Sequence, residues 1–163
     1  MSKPTPFKII SDIVSKTTHP WEYEPDLYEW THRGIECVAR RNLTHGAWCG
    51  YVDVPTEIWE SFVVSTNAYH KTEDEMLDVH GGVTYNALIV GRNVQRIGFD
   101  CAHGGDLMPK VSASLRGYSI TLGDSETINT YDTYRDLAFV IAECESMVDQ
   151  ILAVTGGDVG DKP

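Results

Sequence analysis

The sequence predicts an α+β domain: an antiparallel sheet built from hairpins, with one long C-terminal helix packed on it. Three observations carry this. Residues 35–41 and 47–54 are β-rich runs around a turn containing Asn42 and Gly46, and residues 83–90 and 94–99 repeat the arrangement around Gly91-Arg92-Asn93. Leu137, Val140, Ile141, Cys144, Val148, Ile151 and Leu152 recur at three- and four-residue spacing, which gathers them on one stripe of a helix. At 163 residues and 42% hydrophobic content the chain suits one domain, assigned to 1–154, with a frayed tail over 155–163.

Taken in order, Phe7, Ile9, Ile10, Ile13 and Val14 suggest a short helix after a Pro-rich start, ended by His19-Pro20-Trp21. Residues 21–28 are acidic and aromatic and read as a loop leading to a first strand near Tyr28-Glu29-Trp30-Thr31. In the hairpin that follows, Cys37 and Cys49 are expected nearly opposite each other. Pro55 ends that hairpin, Thr56 is expected to cap a turn or two of helix to Phe62, and residues 65–78 read as a polar surface loop with His70. The next hairpin, centred near Arg92, sets Thr84 across from Asp100 and brings His80 and His103 together at its open end. Residues 111–130 read as a long loop with a short strand at 118–122. Thr133-Tyr134-Arg135-Asp136 has the form of a capping box for the last helix, whose opposite face carries Glu143, Glu145 and Asp149, and Gly156-Gly157 stops it.

Composition narrows the function classes. A formal net charge of −11 argues against non-specific nucleic-acid binding, which depends on Lys and Arg displacing counterions from phosphates. No apolar run approaches the roughly 20 residues of a membrane helix, and the first residues lack the apolar segment of a signal peptide, so the expected location is the cytoplasm and no membrane partner is expected. Cys37, Cys49, Cys101 and Cys144 form no Cys-x-x-Cys pair and are read as free thiols packing as small apolar residues. The acidic balance is the one feature that favours a third class, a protein that binds and inhibits a host protein. A homo-oligomer is compatible with the sequence.

The chemistry concentrates at the mouth of the second hairpin. The ligand-binding candidates are His80, Gly81, Gly82, Thr84, Tyr85, Asp100, His103, Asp106 and Arg135. Glycine-flanked amides and an Arg suit phosphate or carboxylate oxygens, and Tyr and Trp rings suit a base. If the protein is an enzyme, His80 and His103 are the acid and base and Asp100 orients one ring. Cys101 is read as a packed thiol because alternation turns it away from a site that Asp100 faces. His80, Asp100, His103 and Asp106 are the candidates for a zinc or manganese ion. Their spacing matches no established ligand pattern, so the reading assigns no metal and leaves the cofactor unknown.

Residues 80–85, His-Gly-Gly-Val-Thr-Tyr, and 98–106, Gly-Phe-Asp-Cys-Ala-His-Gly-Gly-Asp, resemble the His-Gly-Gly-x-Thr-Tyr and Gly-Phe-Asp-Cys-Ala-His-x-Gly-Asp segments of a family of small tailed-bacteriophage and prophage proteins. The likeness extends to residues 49–55, 134–137 and 143–145, covering roughly 28–152 of the chain. It departs at Thr56 to Tyr69, which replace a Gly-His-Pro loop, and at Gln95-Arg96, which stand in place of aromatic residues. The resemblance implies a phage accessory protein in the host cytoplasm and no particular reaction. With the site residues, the leading expectation is a protein that holds a small anionic, nucleotide-derived ligand and so sequesters a host nucleotide signal, a form of host immune evasion. The alternative is a hydrolase of a nucleotide or phosphodiester bond using His80 and His103.

Overall fold

The computed structural model describes residues 19–111 and 132–157. The helix expected over 7–14, the strand expected at 118–122 and the tail from 158 lie outside the described residues. Five strands form one antiparallel sheet in the order β1-β2-β3-β5-β4, with β1 at Leu27–His32, β2 at Ile35–Arg41, β3 at Trp48–Pro55, β4 at Tyr85–Ile89 and β5 at Val94–Asp100. Arg33 and Gly34 both take positive φ, 50° and 82°, which is the backbone a two-residue turn needs to match the twist of β1 and β2. A 3-10 turn at Val90–Arg92 followed by Asn93 in the left-handed region joins β4 to β5.

Alternation assigns the two faces. Trp48, Val52 and Val54 of β3, with Ile97 and Phe99 of β5 and Ile35, Cys37 and Ala39 of β2, are buried on one face. Over it lie α1 (Thr56–Thr66) and α3 (Leu137–Thr155), packed against each other and both against β3. Each large side chain fully buried here contributes about 1.5–3 kcal/mol, so this layer is the main source of stability. Gly50 is required at the centre: a Cβ there would fall 2.5 Å from Phe99 Cε1 and 2.8 Å from Cys144 Sγ. The opposite face carries Tyr51, Asp53, Arg96, Asp100 and Tyr85, and no helix covers it among the described residues.

Several expectations need correction. The β4–β5 register is one residue away from the expected pairing: Tyr85 faces Gly98, and the Thr84 N–H donates to the Gly98 carbonyl. Asp100 is not opposite Thr84 but pairs with Cys49 on β3, because the connecting turn is a 3-10 turn ending at Asn93 rather than a turn centred on Arg92. Cys37 pairs with Val52 and Cys49 with Arg40, so the two thiols point to opposite faces and cannot be bridged. α1 runs to Thr66, and Thr56 does not cap it, since its hydroxyl donates to the Asn93 carbonyl at 2.9 Å. Residues 65–78 are not simply loop. They contain the end of α1, a 3-10 turn at Ala68–His70, and α2 (Glu73–Met76), one turn closed by a Thr72–Glu75 capping box. The cap of α3 is Asp136, whose carboxylate accepts the Phe139 N–H at 2.8 Å; Thr133 instead bridges to Asp106 as a strand residue. The buried stripe of α3 includes Met147 beside the expected residues other than Ile141, which is only partly buried, and the helix ends at Gly156 in the left-handed region.

Two ion clusters, one around the buried Arg41 and one around the buried Asp53, brace the sheet. Glu24, in the loop before β1, accepts hydrogen bonds from Arg41, Trp48 Nε1 and the Tyr134 hydroxyl on one oxygen and from the Leu137 N–H on the other. Arg41 also reaches the Gly46 carbonyl and Asp26 and stacks 4.4 Å over Trp48. On the opposite face Asp53 is held by Arg96 at 2.6 Å and 2.8 Å and by Arg92 at 2.7 Å. Burial disfavours the charged form of Asp53, but the hydrogen bonds and charges of Arg96 and Arg92 outweigh it and lower its pKa.

Replacing Arg41, whose side chain is 6% exposed, with Met leaves the Glu24 carboxylate without its cation. The expected cost is about 3–5 kcal/mol in urea unfolding, the range for breaking a buried pair on one side. Asp53 acts through its depressed folded-state pKa, so its contribution is present above the unfolded value of about 3.9 and is lost as pH falls below that. Urea stability measured between pH 5 and pH 3 (roughly that window) therefore declines less steeply for Asp53→Asn than for the wild type.

Candidate functional site

The segment before β4 is tied to α3, which places His80. The Asp78 N–H and carbonyl bond to Gln150, the His80 N–H donates to Glu143 Oε2 at 2.7 Å, and the His80 ring meets Phe139 edge-on at 5.3 Å. Glu143 is thus an anchor for the segment that carries His80. His103 comes from the loop after β5, where its N–H donates to Asp106 Oδ2 at 3.0 Å and its carbonyl accepts the Asp106 N–H. The two rings lie 5.5 Å apart at 83°.

Asp106 is the centre of the cluster. Its side chain is 1% exposed, and it takes His80 Nε2 at 2.7 Å and Arg135 Nε at 3.0 Å on its two oxygens. An ionised carboxylate can only accept, so His80 carries its proton on Nε2 in this arrangement. Burial alone would push the Asp106 pKa up, yet the bonds from His80, the His103 amide and Arg135 exceed that effect and lower it. His103 Nδ1 stands 3.6 Å from Asp106 Oδ2 and 3.7 Å from Asp100 Oδ1. It is buried and has no hydrogen-bond partner among the described residues.

Gly81 acts on the histidine. Gly81 and Gly82 have φ of 69° and 80°, and a Cβ on Gly81 would lie 2.1 Å from His103 Cε1. The backbone approach that the sequence suggests is therefore made to the imidazole.

The expected set divides into two adjoining parts. His80, His103, Asp106 and Arg135 form the cluster. Thr84, Tyr85 and Asp100 instead line a cavity of about 280 Å³ on the face opposite α3, with Asn42, His45, Cys49, Tyr51, Phe99 and Ala102. Its aromatic wall is Tyr51 against Tyr85, 5.4 Å apart and edge-on, with Tyr51 lying over Gly98. Burial and the neighbouring Cys49 push the Tyr51 hydroxyl up to about 12, so it stays a proton donor. Asp100 belongs to both parts. Sequence reasoning missed Asn42, His45 and Tyr51 as lining residues; alternation along β3 from Cys49 was the available signal for Tyr51, whereas the turn residues gave none.

Cys101 is buried, and burial raises its thiol pKa above the ordinary value, which disfavours the thiolate that a nucleophile needs. No helix among the described residues is long and apolar enough to cross a membrane. No family model, curated protein or solved structure matches the chain.

Gly81→Ala has to move either the His103 ring or the loop, and it also forces a non-glycine residue to positive φ. The expected loss is about 1–3 kcal/mol in chemical unfolding, accompanied by shifted His103 ring resonances in NMR spectra.

Proposed function

We propose that this is a phage accessory protein that binds a small anionic, nucleotide-derived ligand across the cavity and the histidine cluster, and that by holding it the protein sequesters a host nucleotide signal. The single observation that carries the binding reading is the position of Asp100, which lines the aromatic cavity and stands 3.7 Å from His103. A ring seated in the cavity meets Tyr51, Tyr85, Asn42 and Thr84, groups that can stack on a base and hydrogen-bond its edge. The anionic end then points toward the imidazoles and Arg135. At about 280 Å³ the space is at the lower limit of the roughly 300–1,000 Å³ typical of small-molecule pockets, which fits one base better than two. The phage and counter-defence parts of the proposal rest on the motif resemblance and on analogy.

One observation favours a second reading. His80 is paired at 2.7 Å with a buried carboxylate, and the His103 ring 5.5 Å away carries a nitrogen without a hydrogen-bond partner among the described residues, a pairing suited to general acid–base hydrolysis of a phosphodiester.

Mass spectrometry of molecules released on heating the purified protein is expected to show a nucleotide-type anion, absent from Asp100→Ala preparations whose melting temperature stays within a few degrees of wild type. Recovery of the intact nucleotide after long incubation supports sequestration, and conversion to product supports the hydrolase. Equal retention by Asp100→Ala overturns the cavity as the binding site.

A further inference from the structure

The arrangement around His103 Nδ1 goes beyond anion binding. A buried polar atom without a partner is uncommon in folded proteins and calls for an explanation, an ion being one. Here the orphaned atom is flanked by two carboxylates and lies near a second imidazole. His80, His103 and Asp106 each offer one ligand atom within 4.8 Å of the others. We infer that His80, His103 and Asp106 form a site for one divalent transition-metal ion of the zinc and cobalt class, with its remaining position open toward Asp100 and the cavity.

Several features favour this over a latch between His80 and Asp106. A latch uses the His80–Asp106 bond and gives His103 Nδ1 nothing to do. Metal–ligand bonds of about 2.0–2.1 Å place ligand atoms about 3.3 Å apart in a tetrahedral shell. The His103–Asp106 separation of 3.6 Å is already close to that, and the 2.7 Å His80–Asp106 bond needs only to open as the ion replaces the shared proton. His80 then remains neutral with its proton on Nδ1, and no net charge is added by the ring. Two imidazoles with one carboxylate select first-row transition ions over magnesium or calcium, which prefer all-oxygen shells.

The supporting groups are those a metal site requires. Arg135 Nε holds the second Asp106 oxygen at 3.0 Å, the His103 amide donates to the first, and Gly81 packs under the His103 ring to fix its plane. An ion bound by two neutral rings and one carboxylate keeps a net positive charge, so it also supplies a docking point for a phosphate or carboxylate. The metal inference does not depend on the identity of that anion.

The test uses the full chain, freed of metal by chelator and confirmed folded by circular dichroism, titrated with Co²⁺ and then Zn²⁺. One ion per chain, a visible Co²⁺ spectrum displaced by Zn²⁺, and a rise in melting temperature are expected. His103→Ala is expected to weaken Zn²⁺ binding by more than the roughly 10–100-fold that loss of an outer-shell partner costs, whereas His70→Ala, at an exposed position, binds as wild type. If His103→Ala does not fold, the ring resonances of the wild type decide the matter: Zn²⁺ must move those of His80 and His103 and leave His19, His32, His45 and His70 in place. Substoichiometric uptake by folded wild type, unchanged affinity in His103→Ala, or shifts confined to other histidines would each overturn the inference. Retention of a nucleotide by chelator-treated protein, with no metal uptake, leaves the proposed binding function standing and removes the ion alone.

Discussion

Glu24 imposes the constraint on which the rest of the structure depends. A carboxylate whose side chain is 9% exposed requires donors, and it collects them from four places: Arg41 at the end of β2, Trp48 at the start of β3, Tyr134, and the Leu137 amide at the first turn of α3. The beginning of the long helix is thereby pinned to one end of the sheet. Arg135 and Phe139 flank that point, and both reach the cluster, one by bonding Asp106 and the other by packing on His80. An acid outside the site thus sets the position of two groups within it.

A second acid repeats the pattern at the site itself. Asp106 is linked to the chain through the parallel bridge with Thr133 and by its bonds to His80, His103 and Arg135. Loops from three distant parts of the sequence are held at one carboxylate, which is how a small domain can present a fixed constellation without building it on strands alone.

Much of the architecture was legible because periodicity is a local property. The α3 stripe, the two hairpins and the Gly156 stop follow from spacing and turn residues, and so did the meeting of His80 and His103, since both stand beyond the ends of one hairpin. Register was not legible. Gly91-Arg92-Asn93 is compatible with more than one turn, and a one-residue difference changes which residues share a face, so Thr84 and Asp100 were paired wrongly. Cys37 and Cys49 were misplaced for the same reason, because the length of the Asn42-to-Ala47 turn decided their offset. Thr133 has the composition of a cap, but its backbone is claimed by Gly105 and Leu107, a contact that no sequence window contains. Glu24 lies in an acidic, aromatic stretch that reads only as a loop, because its donors are 17 to 113 residues away and fall in no local window.

Strand alternation has a further consequence for how this domain can change over time. Along β3, Trp48, Val52 and Val54 hold the packed layer, while Cys49 and Tyr51 border the cavity. Substitutions at the second set reshape the hollow without opening voids beneath it. Cavity lining and core packing are thus written on alternate letters of the same strand, which allows the hollow to change shape while the scaffold stays intact.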